Sequence, residues 1–129
     1  MRKKWRIVAL FMGLFLLVAC SGGEKVDEKT SQKYQQKAEE VVAYLNEKNY
    51  DQLISRFNKE MTSSLSKEQL KEVEPIIVDS GEFKKFEKST VKKVDSNYTV
   101  VLVTKYEKEK RVYTISFDKN DEISGLYVK

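Results

Sequence analysis

Three sets of side chains in this 129-residue sequence have types and spacings that could do chemistry. Asp118, Asn120 and Glu122 stand at alternate positions, like the first, third and fifth ligands of a calcium loop. The sixth position is Ile123 and the twelfth is Lys129, where Gly and a bidentate Glu are required, so a polar hairpin turn is expected instead. Glu39 with Glu40, and Glu107 with Glu109, offer the paired carboxyls that glycoside hydrolysis uses. Nothing in the spacing turns either pair into a cleft. With 40 of the 110 residues from Cys20 onward charged, solvated faces account for both. Finally, Lys84, Lys85, Lys88, Lys92 and Lys93 put five cations in ten residues, opposed only by Glu87. They read either as a strip meeting anionic wall polymer or lipid head groups, or as an edge strand kept from aggregating by its lysines; the second is the simpler expectation.

The residues that are missing narrow the chemistry further. There is no His and a single Cys, which excludes any catalytic triad, zinc site or disulfide that needs them. No Gly-rich phosphate loop and no Ser in a nucleophile-elbow setting occur, so neither an enzyme nor a cofactor is expected. Asn97-Tyr98-Thr99 fits the N-glycosylation pattern and is read as incidental.

The 24 basic and 20 acidic residues give a net charge of +4, which invites a nucleic-acid or membrane reading. The surplus is Arg2, Lys3, Lys4 and Arg6; from Cys20 onward 20 basic residues face 20 acidic ones. With no net charge there and no recognised DNA- or RNA-binding motif, no nucleic acid is expected.

Those four cations precede an apolar run from Ile7 to Val18, broken only by Gly13. Twelve helical residues span roughly 18 Å, short of the ~30 Å hydrocarbon core, so the run has signal-peptide rather than transmembrane anatomy. It ends in Leu17-Val18-Ala19-Cys20, which resembles the lipobox of bacterial lipoproteins. The resemblance implies cleavage between Ala19 and Cys20, and a diacylglyceryl group on Cys20 whose chains, such as palmitate, anchor the protein to the extracytoplasmic face of the cell membrane. Two acyl chains suffice for stable anchoring. The expected organisation is therefore a lipoprotein signal peptide over 1–19, a lipidated Cys and flexible tether over 20–31, and one α+β domain over 32–129. The tether expectation rests on Ser, Gly, Lys, Glu and Asp surrounding Val26 as the only aliphatic residue before the domain.

In the domain, Tyr34, Ala38, Val41, Val42 and Leu45 fall on one helical stripe and predict a helix over about 31–48. Asn49 and Gln52 form a capping pair before Leu53, Ile54, Phe57 and Met61, predicting a second helix over about 50–61. Ser66 and Gln69 repeat the pattern before a third helix, in which Pro75 predicts a kink or a fresh turn. After Gly81 the composition turns to Val, Thr, Tyr and Phe, giving strands at about 83–94, 98–108, 110–117 and 122–128. Tyr98 to Val103 is apolar on both faces and is expected at the centre of the sheet. Helices followed by hairpin-linked strands predict an α+β fold with two or three helices packed on one face of a curved four-stranded antiparallel sheet. The 38 apolar residues of the 110 from Cys20 suffice for one modest core.

The helical pair around Asn49-Tyr50-Asp51, then Leu53, Phe57 and Met61, Leu65-Ser66 through Gln69-Leu70, and Gly81-Glu82-Phe83 leading into four strands, resembles domain of unknown function 3887. The resemblance covers about residues 33–129 and implies a cystatin-like, nuclear transport factor two-like fold in a secreted or lipid-anchored bacterial protein. The same resemblance and the Lys-rich, His-free composition point to a Gram-positive cell. Such a fold often has a cone-shaped hollow, the default place for a ligand. Phe57, Met61, Phe83, Tyr106, Tyr113 and Phe117 either line that hollow as a pocket or fill it as core, and filling is the preferred reading. The expected function is a binding domain for an envelope protein or small ligand, the alternatives being a homodimerising module or a small carboxylate hydrolase.

Overall fold

The structure is a computed structural model that describes residues 24–129; the expected signal peptide, Ala19 and Cys20 lie outside the described residues. A two-residue strand β1 (Glu24–Lys25) is followed by helix α1 (Glu28–Asn46) and three short helices, α2 (Tyr50–Ile54), α3 (Lys59–Ser64) and α4 (Lys67–Leu70). A 3-10 turn over Lys71–Val73 leads into α5 (Glu74–Asp79), and four long strands complete the chain: β2 (Phe83–Val94), β3 (Asn97–Tyr106), β4 (Lys110–Phe117) and β5 (Ile123–Val128). The sheet is antiparallel throughout with order β1-β2-β3-β4-β5, which puts β3 at its centre as its two-sided apolarity predicts.

The helices pack on one face of this sheet. Alternation fixes which side chains they meet: Val91 on β2, Val100, Leu102 and Tyr106 on β3, Tyr113, Ile115 and Phe117 on β4, and Leu126 and Val128 on β5 are all buried. The α1 stripe of Tyr34, Ala38, Val41, Val42 and Leu45 closes over them. Ala38 and Val42 are fully buried, so the helix lies close to the sheet where its side chains are smallest. Tyr34 stacks on Tyr98 with centroids 4.2 Å apart and an interplanar angle of 15°, and tilts against Phe117 at 5.6 Å. Each fully buried aliphatic side chain here contributes roughly 1.5–3 kcal/mol.

The expected tether gives way earlier than predicted. Glu24 and Lys25 pair with Lys93 and Lys92 at the sheet edge, Val26 packs against the core, and the Ser31 amide donates to the Asp27 carbonyl at 2.9 Å in the first turn of α1. Strand pairing is thus already present at Glu24, where one aliphatic side chain and two ladder positions fix a segment this close to the sheet.

The second predicted helix is broken in two. At Phe57 the chain bridges to β5: the Asn58 amide donates to the Ile123 carbonyl at 2.9 Å, and the Ile123 amide to the Arg56 carbonyl at 2.8 Å. These long-range bonds replace helical ones, and Asn58 recaps the chain by accepting from the Met61 amide at 2.8 Å. Asn49, expected as the cap, makes no side-chain cap bond. The Ser66 and Gln69 capping box forms in full. Pro75 stands in the first turn of the new helix α5, where its missing N–H costs nothing. Gly81 ends that helix at φ +87°, and a Cβ there would lie 2.7 Å from Cβ of Glu107, so conformation and space both require glycine.

Candidate functional site

The space between helices and sheet is filled by side chains. Phe57, Met61, Tyr106, Tyr113 and Phe117 are buried in one continuous core, and Phe83 is half-buried at its margin, tilted on Phe86 and edge-on to Tyr106. The polar groups at the bottom are paired to one another. The Tyr106 hydroxyl donates to Oδ1 of Asn46 at 2.6 Å and lies 2.6 Å from the Tyr113 hydroxyl. A phenol has one proton, so Tyr113 must be the donor to Tyr106, and the chain runs Tyr113 to Tyr106 to Asn46. Burial pushes both phenols above their ordinary pKa, so they stay protonated donors. Beside them, Nε of Arg111 donates to Oγ of the buried Ser80 at 2.6 Å, Ser80 donates to the Ile76 carbonyl, and Thr104 donates to the Arg111 carbonyl. This network ties α1, α5, β3 and β4 together. A cavity of about 10 Å³ lies at the other end, lined by Lys37, Glu40, Val41, Tyr44, Arg56, Phe117, Asp121 and Ile123, and has room for about one water molecule.

The carboxylates are engaged elsewhere. Glu39 accepts from Gln35 and Glu40 pairs with Arg56 at 3.1 Å; Glu109 pairs with Arg111, while Glu107 accepts from the Glu82 amide. Of these four only Glu40 borders the small cavity, so neither pair faces it together. In the β4–β5 turn, Oδ1 of Asp118 accepts the Asn120 and Glu122 amides at 2.9 and 3.0 Å, and Oδ2 accepts from Asn58 at 3.1 Å. Its lone pairs organise the hairpin. Asp121, at φ 62°, accepts from the Tyr34 hydroxyl and pairs with Lys33 at 3.0 Å, which holds its carboxyl below the usual range. Among the described residues no group of three or more His, Cys, Asp or Glu side chains could hold a metal ion, and no helix is long and apolar enough to cross a membrane.

The lysines are arranged differently. The run Lys84 to Lys93 lies along β2, which is the sheet edge except where β1 covers Lys92 and Lys93. Its side chains do not share one face. Lys84 bends back to Glu82 at 3.2 Å, and Lys93 turns to the helical side with its ammonium 6.0 Å from the Tyr98 ring centroid. Lys85, Lys88 and Lys92 pair with Lys105, Val103 and Thr99, and so point to the face away from the helices. Lys105 in turn opposes Lys110 on β4. Lys85, Lys105 and Lys110 therefore form a transverse row of three facing cations, with Glu87 the acid beside them, 2.9 Å from Lys110. The Lys110 contact, helped by the charges of Lys105 and Lys85, lowers the Glu87 pKa. Between the lysines the same face carries Val101, Val103, Val112 and Thr114, all partly exposed, and the buried Thr99–Ser116 hydroxyl pair.

This asymmetry extends to the whole domain. Residues 28–82 hold eight basic and eleven acidic side chains, whereas residues 83–129 hold eleven basic and seven acidic. Glu87 is the only acid on the four long strands, which carry eight cations.

With the geometry in place, residues 38–126 match the family described as Protein of unknown function (DUF3887). The chain belongs to this family. A protein from Ruminococcus gnavus ATCC 29149, solved by NMR, is similar in fold with a TM-score of 0.66 and 28% identity, over 81% of this chain and 96% of that one. Among curated proteins none matches.

Within this DUF3887 domain, sequence reasoning found Tyr106 and Tyr113 but missed Asn46, Ser80 and Arg111. Their polarity gave no periodic signal, and a helix-to-sheet hydrogen bond joins residues 60 apart, as for Tyr106 and Asn46. Lys105 and Lys110 were missed for a related reason: they stand far from Lys85 in sequence and meet it only through strand register.

Proposed function

We propose that this chain is a lipid-anchored domain at the extracytoplasmic face of a bacterial cell membrane that works by surface contact with another component of the envelope. Its precursor loses residues 1–19, and Cys20 carries the diacyl anchor. One observation carries the reading: Leu17-Val18-Ala19-Cys20, with its basic and apolar leader, stands only four residues ahead of the first strand. The fold is a nuclear transport factor two-like variant whose hollow is closed by aromatic side chains. That closure favours surface contact over a small ligand as the mode of action, and the engaged carboxylates offer no acid–base pair for hydrolysis.

Mass spectrometry of the mature N-terminus tests the anchor. The expected result is a thioether-linked diacylglyceryl group on Cys20 with acyl chains such as palmitate; an unmodified Cys20 or an intact leader would contradict it. Cross-linking in the native cell tests the contact role and should recover a second envelope component with the domain. Recovery of this chain alone would replace the contact role with homodimerisation.

A further inference from the structure

The row of lysines raises a question that the edge-strand explanation does not answer. Lysines on an edge strand keep it from pairing with other chains, and that accounts for Lys85, Lys88 and Lys92 on β2. Lys105 and Lys110 lie on β3 and β4, which have partners on both sides. They protect no edge. Like charges placed directly opposite on neighbouring strands destabilise a sheet, yet Lys85 faces Lys105 and Lys105 faces Lys110. One carboxylate, Glu87, stands among the three. All five lysines are exposed, and all five point to the side away from the helices.

The start of the domain adds a constraint of distance. Glu24 and Lys25 pair with Lys93 and Lys92, so the chain enters the sheet beside the lysine-bearing strand. Three residues separate Cys20 from Glu24, and an extended chain covers at most about 3.5 Å in each of the four steps between them. An anchor on Cys20 thus lies within about 14 Å of this edge of the sheet. A domain held so closely has few ways to sit on a membrane.

We propose that the sheet face bearing Lys85, Lys88, Lys92, Lys105 and Lys110 docks on the anionic lipid head groups of the bilayer in which Cys20 is anchored, leaving the acidic helical side turned to the wall. The docking direction rests on the reading of Cys20 as the anchor. The charge distribution fits it: the cationic strands meet the anionic surface, and the helices, with eleven acids against eight bases, are repelled by it. Each lysine near an anionic bilayer raises the partition coefficient about fivefold, so two charge reversals should cost at least about 25-fold.

The test uses a chain starting at Glu24, which contains every described strand and helix and the whole core. It lacks Cys20, so its result is independent of lipidation, just as the mass of the mature N-terminus is independent of the lysines. Cosedimentation is measured with vesicles of phosphatidylcholine alone and of phosphatidylcholine mixed with phosphatidylglycerol, at low and high salt. Binding to the anionic vesicles that is lost at high salt is expected. The pair Lys88→Glu and Lys105→Glu should abolish it, while Lys59→Glu with Lys71→Glu on the helical side, an equal change in net charge, should leave most of it. Thermal melts confirm that each variant is folded. Equal binding to both vesicle types, or equal losses in the two variants, would overturn the proposal. So would binding to a soluble anionic glycopolymer with none to vesicles, which would make the wall the partner instead.

Discussion

The two faces of the central strands show how differently one stretch of sequence can be used. On β3, Val100, Leu102 and Tyr106 turn inward and are buried under α1, while Val101, Val103 and Lys105, their immediate neighbours, turn outward and keep contact with solvent. The inner face is satisfied: its aromatics fill the hollow and its hydroxyls form closed chains with Asn46, Ser80 and Arg111. The outer face is not, because it sets cation against cation across three strands. Stability is concentrated on one side of the sheet and unspent charge on the other, and a surface function belongs where the packing is not optimised for stability.

Adjacent substitutions on β3 give the sharpest contrast. Leu102→Ala should cost about 3 kcal/mol, since it opens a cavity in a filled core. Val103→Ala, one residue on but facing outward, should cost about 1 kcal/mol or less. Urea titration of the two variants checks this, and equal losses would erase the distinction between the faces.

Tyr113→Phe is the next largest change. It removes the donor to Tyr106 while keeping the ring, so a loss of about 1–2 kcal/mol is expected, with little change in the urea m-value. If it were neutral, the Tyr113 to Tyr106 to Asn46 chain would contribute nothing to the inner face.

The inner side also predicts a response to alkali. Burial, followed by the hydrogen bond to Glu74, raises the Tyr50 pKa from 10.0 to about 12. The native state therefore keeps a proton that the unfolded chain has begun to lose. This contribution is complete below pH 10 and disappears as pH rises through about 12. Thermal melts over that range should fall steadily, and Tyr50→Phe should flatten part of the decline.

The smallest effect has the opposite sign. Lys105→Glu places an acid between Lys85 and Lys110 and should stabilise the fold by about 0.2–1 kcal/mol. A gain in stability accompanied by weaker binding to anionic vesicles would mark the lysine row as kept for contact rather than for folding. A loss of stability would show that the row is not self-repelling.

Much of the fold was legible because its signals are local and periodic. The α1 stripe, the alternation of Tyr113, Ile115 and Phe117, the Ser66 capping box and the new turn at Pro75 each need only a few neighbouring residues to be read. What was not legible depends on residues far apart. The break at Phe57 is made by hydrogen bonds to Ile123, and the lysine row exists only because bulges in β2 bring Lys85 opposite Lys105. The lysine run on β2 could be read from sequence, but its division between two faces could not. Lys84 and Lys93 belong to other contacts, and Lys105 and Lys110 replace them.

The most direct test of the account is a lysine-acetylation footprint of the lipid-anchored protein in nanodiscs, with neutral phosphatidylcholine compared with a phosphatidylglycerol mixture. The account predicts that Lys85, Lys88, Lys105 and Lys110 are protected on the anionic discs and that high salt removes the protection, while Lys59 and Lys71 react equally on both. Equal labelling of the sheet lysines on the two discs, or protection on the helical side, would contradict it.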